Sequence, residues 1–421
     1  MVRVKERRRE TAEPVEEPSA KTGMFHSMQV YPLFRMLMLG TLSSSTGFWM
    51  YQVSIGWLAL ELIDSAFFVG MAGFAGGIPM LLLSIPAGLV IDRYNRRNVL
   101  LMAQMGVAVV STVFAIMVAT GTIQPWSLLV LVTINGSVMS FIFPVRTAIV
   151  PSLVERTHMA NAVALMSTTQ NATRVVGPSL AGILIALTGV TGTFVLAALF
   201  QGLALLGIWG LPGGRPEQKP RDASEGRLEQ LAFGFKVVAA SPVLLSLCIL
   251  ALAPTVLVMP YLNLMPVFAK DVFDMGATGL GILLAAAGLG TVFGSLSVAR
   301  SGQLMTRRGS QVITATGFAI TVALFGLSPS VWMAVPLLLV AGWMSAAFLA
   351  INQTLVQLNV EDNVRGRVMS VSLLTWGVMP IGQLGVGALA DAIGAPWAMA
   401  LACVAALACI GVIAAKFPSL R

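Results

Sequence analysis

Gly88-Leu89-Val90-Ile91-Asp92-Arg93-Tyr94-Asn95-Arg96-Arg97 places one acid and three arginines in a short loop between two apolar stretches, residues 66–91 and 99–120. Each stretch reaches the length of about 20 apolar residues that a helix needs to cross a bilayer. A short basic loop between two such stretches belongs on the cytoplasmic side, where membrane insertion retains Lys and Arg. This one loop fixes the class of the protein and orients its neighbours.

Composition agrees with the loop. Of 421 residues, 57% are hydrophobic and 10% charged, and the mean hydropathy is +0.85, outside the range of soluble domains. Twelve apolar stretches follow one another, near residues 36–62, 66–91, 99–120, 124–145, 162–187, 190–211, 243–268, 277–299, 312–327, 331–351, 368–390 and 396–415. With the amino terminus inside, only Lys270 of the 26 Lys and Arg falls in an outer loop and only Arg174 lies within the membrane. The expectation is a multi-pass protein of the inner (plasma) membrane with both termini cytoplasmic. The net charge of +8 follows from that topology, and no nucleic-acid partner is expected.

Residues 1–30, with Arg7-Arg8-Arg9 ahead of Glu13, Glu16 and Glu17, lack apolar periodicity and are expected to form a disordered cytoplasmic tail. No cleaved signal is expected, because the first apolar stretch is a full span. Sliding the chain over itself reveals a repeat at an offset of 205 residues: Met139 aligns with Met344, Ser140 with Ser345, Gly177 with Gly382, Gly182 with Gly387 and Gly189 with Gly394. The repeat divides the chain into an N-terminal six-helix bundle (31–211), a polar linker (212–240), a C-terminal six-helix bundle (241–416) and a tail (417–421). Cys248, Cys403 and Cys409 sit in apolar spans without ligand spacing, so neither a metal nor a cofactor is expected. No nucleophile, base and acid, and no phosphate loop, can be assembled into an enzyme.

The pattern Gly-x-x-x-Asp-Arg-x-x-Arg-Arg resembles the loop after the second helix of the major facilitator superfamily of secondary transporters, with Asn95 where that family usually has glycine. The resemblance implies an all-α integral membrane protein, twelve transmembrane helices in two pseudo-symmetric six-helix bundles. It also implies a gating role for Gly88, Asp92, Arg93, Arg96 and Arg97, which would latch the cytoplasmic ends of the halves. Arg174-Val-Val-Gly177-Pro178-Ser-Leu-Ala-Gly182 resembles the Gly-Pro motif of the fifth helix in exporters of the superfamily, without its earlier glycine, and adds Gly177 and Pro178 to the gating set. Phe143-Pro144-Val145-Arg146, Asn161-Ala162-Val163 and Arg365-Gly366-Arg367-Val368-Met369-Ser370 are similar to the drug-efflux branch that includes macrolide-efflux proteins and the enterobactin exporter. That branch implies efflux of drug-like or siderophore-like amphipathic molecules by alternating access, driven by proton antiport.

An ionisable side chain at the bilayer centre costs about 2.5–3.5 kcal/mol on insertion scales. Arg174 stands about 18 Å into its helix at 1.5 Å per residue, with Gln170 and Asn171 on the same face and Pro178 freeing its carbonyl. Either Arg174 contacts an anionic or hydrogen-bond-rich substrate, or it ties two helices together through carbonyls or Asn135, or it pairs with an acid nearer the interface. Trp49, Gln52, Asn135, Trp376 and Gln383 are further substrate candidates, each open to the alternative of interhelical packing. Arg35 and Arg146 lie at span ends and are expected to reach the interface. Pro254, Pro260 and Pro266 should break the seventh span.

No Asp, Glu or His reaches mid-depth, so proton coupling would have to use Glu61, Asp64, Asp391, His158, Asp92 or the substrate itself. Asp92 is expected to accept from the amides opening the eleventh span near Val368 and Met369. The expected partners are a small-molecule substrate, the lipid bilayer and protons as coupling ion, for a monomeric protein. A lipid or lysophospholipid flippase and a non-transporting receptor or scaffold are the alternatives.

Overall fold

A computed structural model describes residues 25–212, 227–301, 309–361, 364, 368–369, 371–372, 375 and 377–417. Among the described residues there is no strand, and eight helical segments are long and apolar enough to cross a membrane. One of them contains the helix Met159–Trp209, which turns at Gly189 (φ 72°) and so supplies the fifth and sixth spans. Pro32–Leu62, Ser310–Gly326 and Met379–Ile393 complete the twelve spans of the fold. The lipid-facing sides carry large apolar residues such as Leu82, Met102, Leu187 and Trp332, as expected of helices that are hydrophobic all round.

Local chemistry sets the span ends. Pro32, Pro125 and Pro242 open their helices at positions where no N–H is needed. Ser65 caps the second span by accepting from the Phe68 amide. The sequence repeat reappears in space. Gly189 and Gly394, its mirrored pair, both have φ in the left-handed region and both end a span. A Cβ on Gly182 would overlap Gly281, and one on Gly387 would crowd Gly70. The fifth span therefore meets the eighth through bare backbone, and the eleventh meets the second in the same way.

These two seams join the halves, and they do so at one end. The largest core cluster unites Tyr51, Phe114 and Phe194 of the first half with Tyr261, Phe268 and Phe325 of the second, near the face that bears Asp64 and Lys270. Toward the other face, which carries Arg93, Arg96 and Arg97, the core separates into a cluster around Phe34, Leu100 and Ile142 and another around Leu247, Phe348 and Val356. Among the described residues the halves are closed at the Asp64 face and part toward the basic face.

Two local expectations change, and a third holds. The tail expected to residue 30 gives way to a helix over His26–Val30. Ser27 is fully buried there, its amide donating to Asn161 Oδ1 at 3.1 Å, while Tyr31 Oη pairs with His158 Nδ1 at 2.9 Å. Such side chains order a polar segment that has no apolar periodicity of its own. The linker likewise ends in a helix, Arg227–Ala240, which buries Val238 against the second half. Residues 1–24, 213–226 and 418–421 lie outside the described residues. The seventh span is interrupted as its prolines require, with π-helical turns over Pro254–Val258 and Phe268–Val272.

Candidate functional site

A niche of about 100 Å³ opens between the first, fourth and fifth spans. Helical spacing brings its walls together: Ser45 and Trp49 are four residues apart on the first span, and Gln170 and Arg174 four apart on the fifth. The Arg174 guanidinium lies over the Trp49 ring, 5.3 Å from its centroid, a geometry that stabilises a cation by the ring quadrupole. Gly177, one turn further on, sits against Trp49 and the Thr46 carbonyl, where a Cβ would not fit. That close approach holds the fifth span against the first and sets the Arg174–Trp49 pair.

Arg146 is the second guanidinium of this niche. It is only 3% exposed, and its Nη1 and Nη2 donate to Ser45 Oγ at 3.4 Å and Ser44 Oγ at 3.1 Å. Behind it runs a buried polar chain. Ser44 Oγ donates to Gln104 Oε1 (3.1 Å), Gln104 Nε2 donates to Gln201 Oε1 (2.8 Å), and Gln201 Nε2 returns to the Ser44 carbonyl (3.2 Å). Four spans of the first half are thus tied to the anchor of one guanidinium. No carboxylate among the described residues pairs with Arg146. A buried guanidinium with two neutral hydroxyl partners keeps donors available, and an anion entering the niche would gain charge-assisted bonds.

The sequence places Arg146 at a span end, within reach of the interface. Arg146 does not reach it, because the chain continues past Ile149 as a further turn, Val150–Ser152, leaving Arg146 inside the bundle. Gln104 and Gln201 carried no signal beyond being amides in apolar spans. Of the substrate candidates, Arg174, Asn171, Gln170 and Trp49 gather in the niche. Gln383 instead donates to Asn263 at 3.1 Å, across the Gly73 backbone of the other half. Asn135 is buried on the fourth span with its Nδ2 unpartnered and does not line the niche, and Gln52 is exposed outside it. Trp376 lies outside the described residues.

The basic loop bonds within its own half. Arg96 Nη1 donates to the Ala148 carbonyl at 2.9 Å and Arg97 Nη2 to the Trp209 carbonyl at 2.7 Å, so each cation satisfies a helix C-terminus. Arg93 is exposed and Gly88 half-buried, while the side chain of Asp92 lies outside the described set. Contacts across the halves are found at the other face instead. Asp391 accepts from Ser65 Oγ at 2.7 Å and from the Phe67 amide at 3.1 Å, and Lys270 pairs with Asp64. Asp391→Ala removes a cap worth about 1 kcal/mol. The population open at that face is then expected to rise about five-fold. Spin labels on Ile63 and Asp274 should report a longer distance; an unchanged distribution would show that Asp391 holds nothing closed.

The sequence matches a known family model, that of the transmembrane secretion effectors, over residues 27–420. The chain belongs to this family of major facilitator transporters. It is similar to the staphyloferrin A transporter of Staphylococcus aureus (strain NCTC 8325 / PS 47), 25% identical over 83% of this chain and 87% of the relative. It is also similar to the enterobactin exporter of Shigella boydii serotype 4 (strain Sb227), 28% identical over 81% of each. Among solved structures, a bacterial homologue of the human lysosomal transporter Spinster superposes with a TM-score of 0.73 at 16% identity, over 93% of this chain and 98% of that one. The nucleoside transporter NupG gives 0.72 at 14% identity, over 91% and 99%. These structural likenesses establish the fold.

Proposed function

We propose that this protein exports anionic, siderophore-like small molecules across the cell membrane by alternating access. The observation that carries the reading is the pairing of Arg146 and Arg174 on one niche, with Trp49 and two amides beside them. Arg146, buried with neutral hydroxyl partners and facing a small space within the bilayer, favours an anion. The relatives named for staphyloferrin A and enterobactin support cargo of this kind.

At about 100 Å³ the niche is smaller than the roughly 300–1,000 Å³ of a drug-sized pocket. It anchors one carboxylate or catecholate arm, and the remainder of the cargo occupies the space between the halves. Parting toward the basic face, which positive-inside topology puts in the cytoplasm, suits loading from within. Both termini then lie inside, and movement against a gradient requires a coupled ion, for which protons are the proposal.

Inverted vesicles test this directly. A carboxylate and a catecholate siderophore, a macrolide and a lysophospholipid are offered with and without a pH gradient. Both siderophores are expected to accumulate, several-fold more with the gradient, and Arg174→Gln to reduce that accumulation roughly ten-fold through loss of one charge-assisted contact. Accumulation of the macrolide alone, or siderophore uptake indifferent to Arg174→Gln, would refute the anion reading.

A further inference from the structure

A second cavity, about 440 Å³ in volume, is a groove on the outer surface between the first and sixth spans. Its floor is glycine. A Cβ on Gly207 would stand 2.7 Å from the Met36 carbonyl and 2.9 Å from Gly40 Cα, so the two helices touch backbone to backbone and leave a slot above the contact. Its walls are apolar and open to the surroundings: Leu39 is 54% exposed, Leu203 54% and Leu206 67%. In a membrane-spanning helix such exposure faces hydrocarbon. Ser44 and Ser45 line the arginine niche while Ser43 and Thr46 line the groove, so the two sites occupy different faces of the first span.

The groove runs toward the basic face, where its chemistry changes. Arg35 precedes Leu39 by four residues and Leu42 by seven, on the same helical stripe and about one turn nearer the end. Arg35 is exposed and has no acidic partner among the described residues. On the sixth span Trp209 is 68% exposed, a residue type that marks the headgroup level, and Arg97 Nη2 sits on its carbonyl. An apolar slot with Arg35 on the helical stripe of one wall and Arg97 bonded to the last turn of the other is complementary to a chain carrying a phosphate.

We propose that this groove binds an anionic phospholipid of the leaflet on the basic face, with one acyl chain along Leu39, Leu203 and Leu206 and the phosphate at Arg35 and Arg97. The site is separate from the cargo niche and stands whatever the cargo is.

Native mass spectrometry of protein reconstituted in vesicles of equal phosphatidylglycerol and phosphatidylcholine tests the proposal without any transport assay. Wild type is expected to retain phosphatidylglycerol in preference to phosphatidylcholine. Arg35→Gln should cut that preference about five-fold, the effect of one basic residue at an anionic surface. Leu206→Trp fills the groove from a lipid-facing wall and should remove the retained lipid whatever its headgroup. Both changes lie on the exposed surface, and melting in detergent checks that the variants fold. Equal retention of the two lipids by wild type, or undiminished retention in either variant, overturns the proposal.

Discussion

Arg146→Gln is expected to weaken binding of an anionic siderophore by roughly thirty-fold or more. Truncating one member of a buried charge pair costs about 2–5 kcal/mol, and 2 kcal/mol is about thirty-fold at 25 °C. The lower end applies because the niche is open on one side, with Asn171 exposed. Arg146→Lys should fall between, since an ammonium keeps the charge and loses the fork that meets Ser44 and Ser45 together. Equilibrium binding in detergent measures both. Full affinity in Arg146→Gln, in protein that elutes as a folded species, would remove Arg146 from the site.

Gly182→Val should be the most damaging change at the junction of the halves. Its Cβ has no room beside Gly281 while the Asp64 face is closed, and overpacking of this kind costs about 1–3 kcal/mol. The penalty applies only where the fifth and eighth spans touch, so it falls on one conformation. A shift of about 5- to 150-fold toward the form open at the Asp64 face follows, with transport lost because the cycle stalls. Labels on Ile63 and Asp274 distinguish this from misfolding, which would broaden the distances or abolish expression. Wild-type transport in Gly182→Val would mean that the seam yields at no cost.

Much of the fold was legible because its determinants are periodic or repeated. Span length, basic loops and the 205-residue offset each survive without knowledge of contacts, and the pair Gly189 and Gly394 carries the same backbone role in both halves. The site was legible only where one helix supplied several members. Gln170, Asn171 and Arg174 share a face of the fifth span, so their grouping follows from spacing alone. Distance from the helix end along the sequence makes Arg146 an interfacial cation, whereas the extra turn after Ile149 decides its depth. Gln104 and Gln201 acquire meaning only when the third and sixth spans meet at Ser44, and no local pattern announces a contact 97 residues apart. Gln383 looked equivalent to the niche amides; its partner Asn263 on another span settles its different place.

The chain from Gln104 to Arg146 lies wholly within the first half, and so does Trp49 with Arg174 above it. A ligand gripped there rides as a passenger of one rigid body, with the same grip at departure and arrival. Such an anchor cannot by itself tell one side of the membrane from the other, since only differential affinity moves an equilibrium. Directionality must therefore be supplied by what the second half offers as it closes, or by the ion that travels back. On this architecture, variants of the arginines should alter how much cargo is held at each face equally, while variants facing them from the second half should alter the ratio between faces.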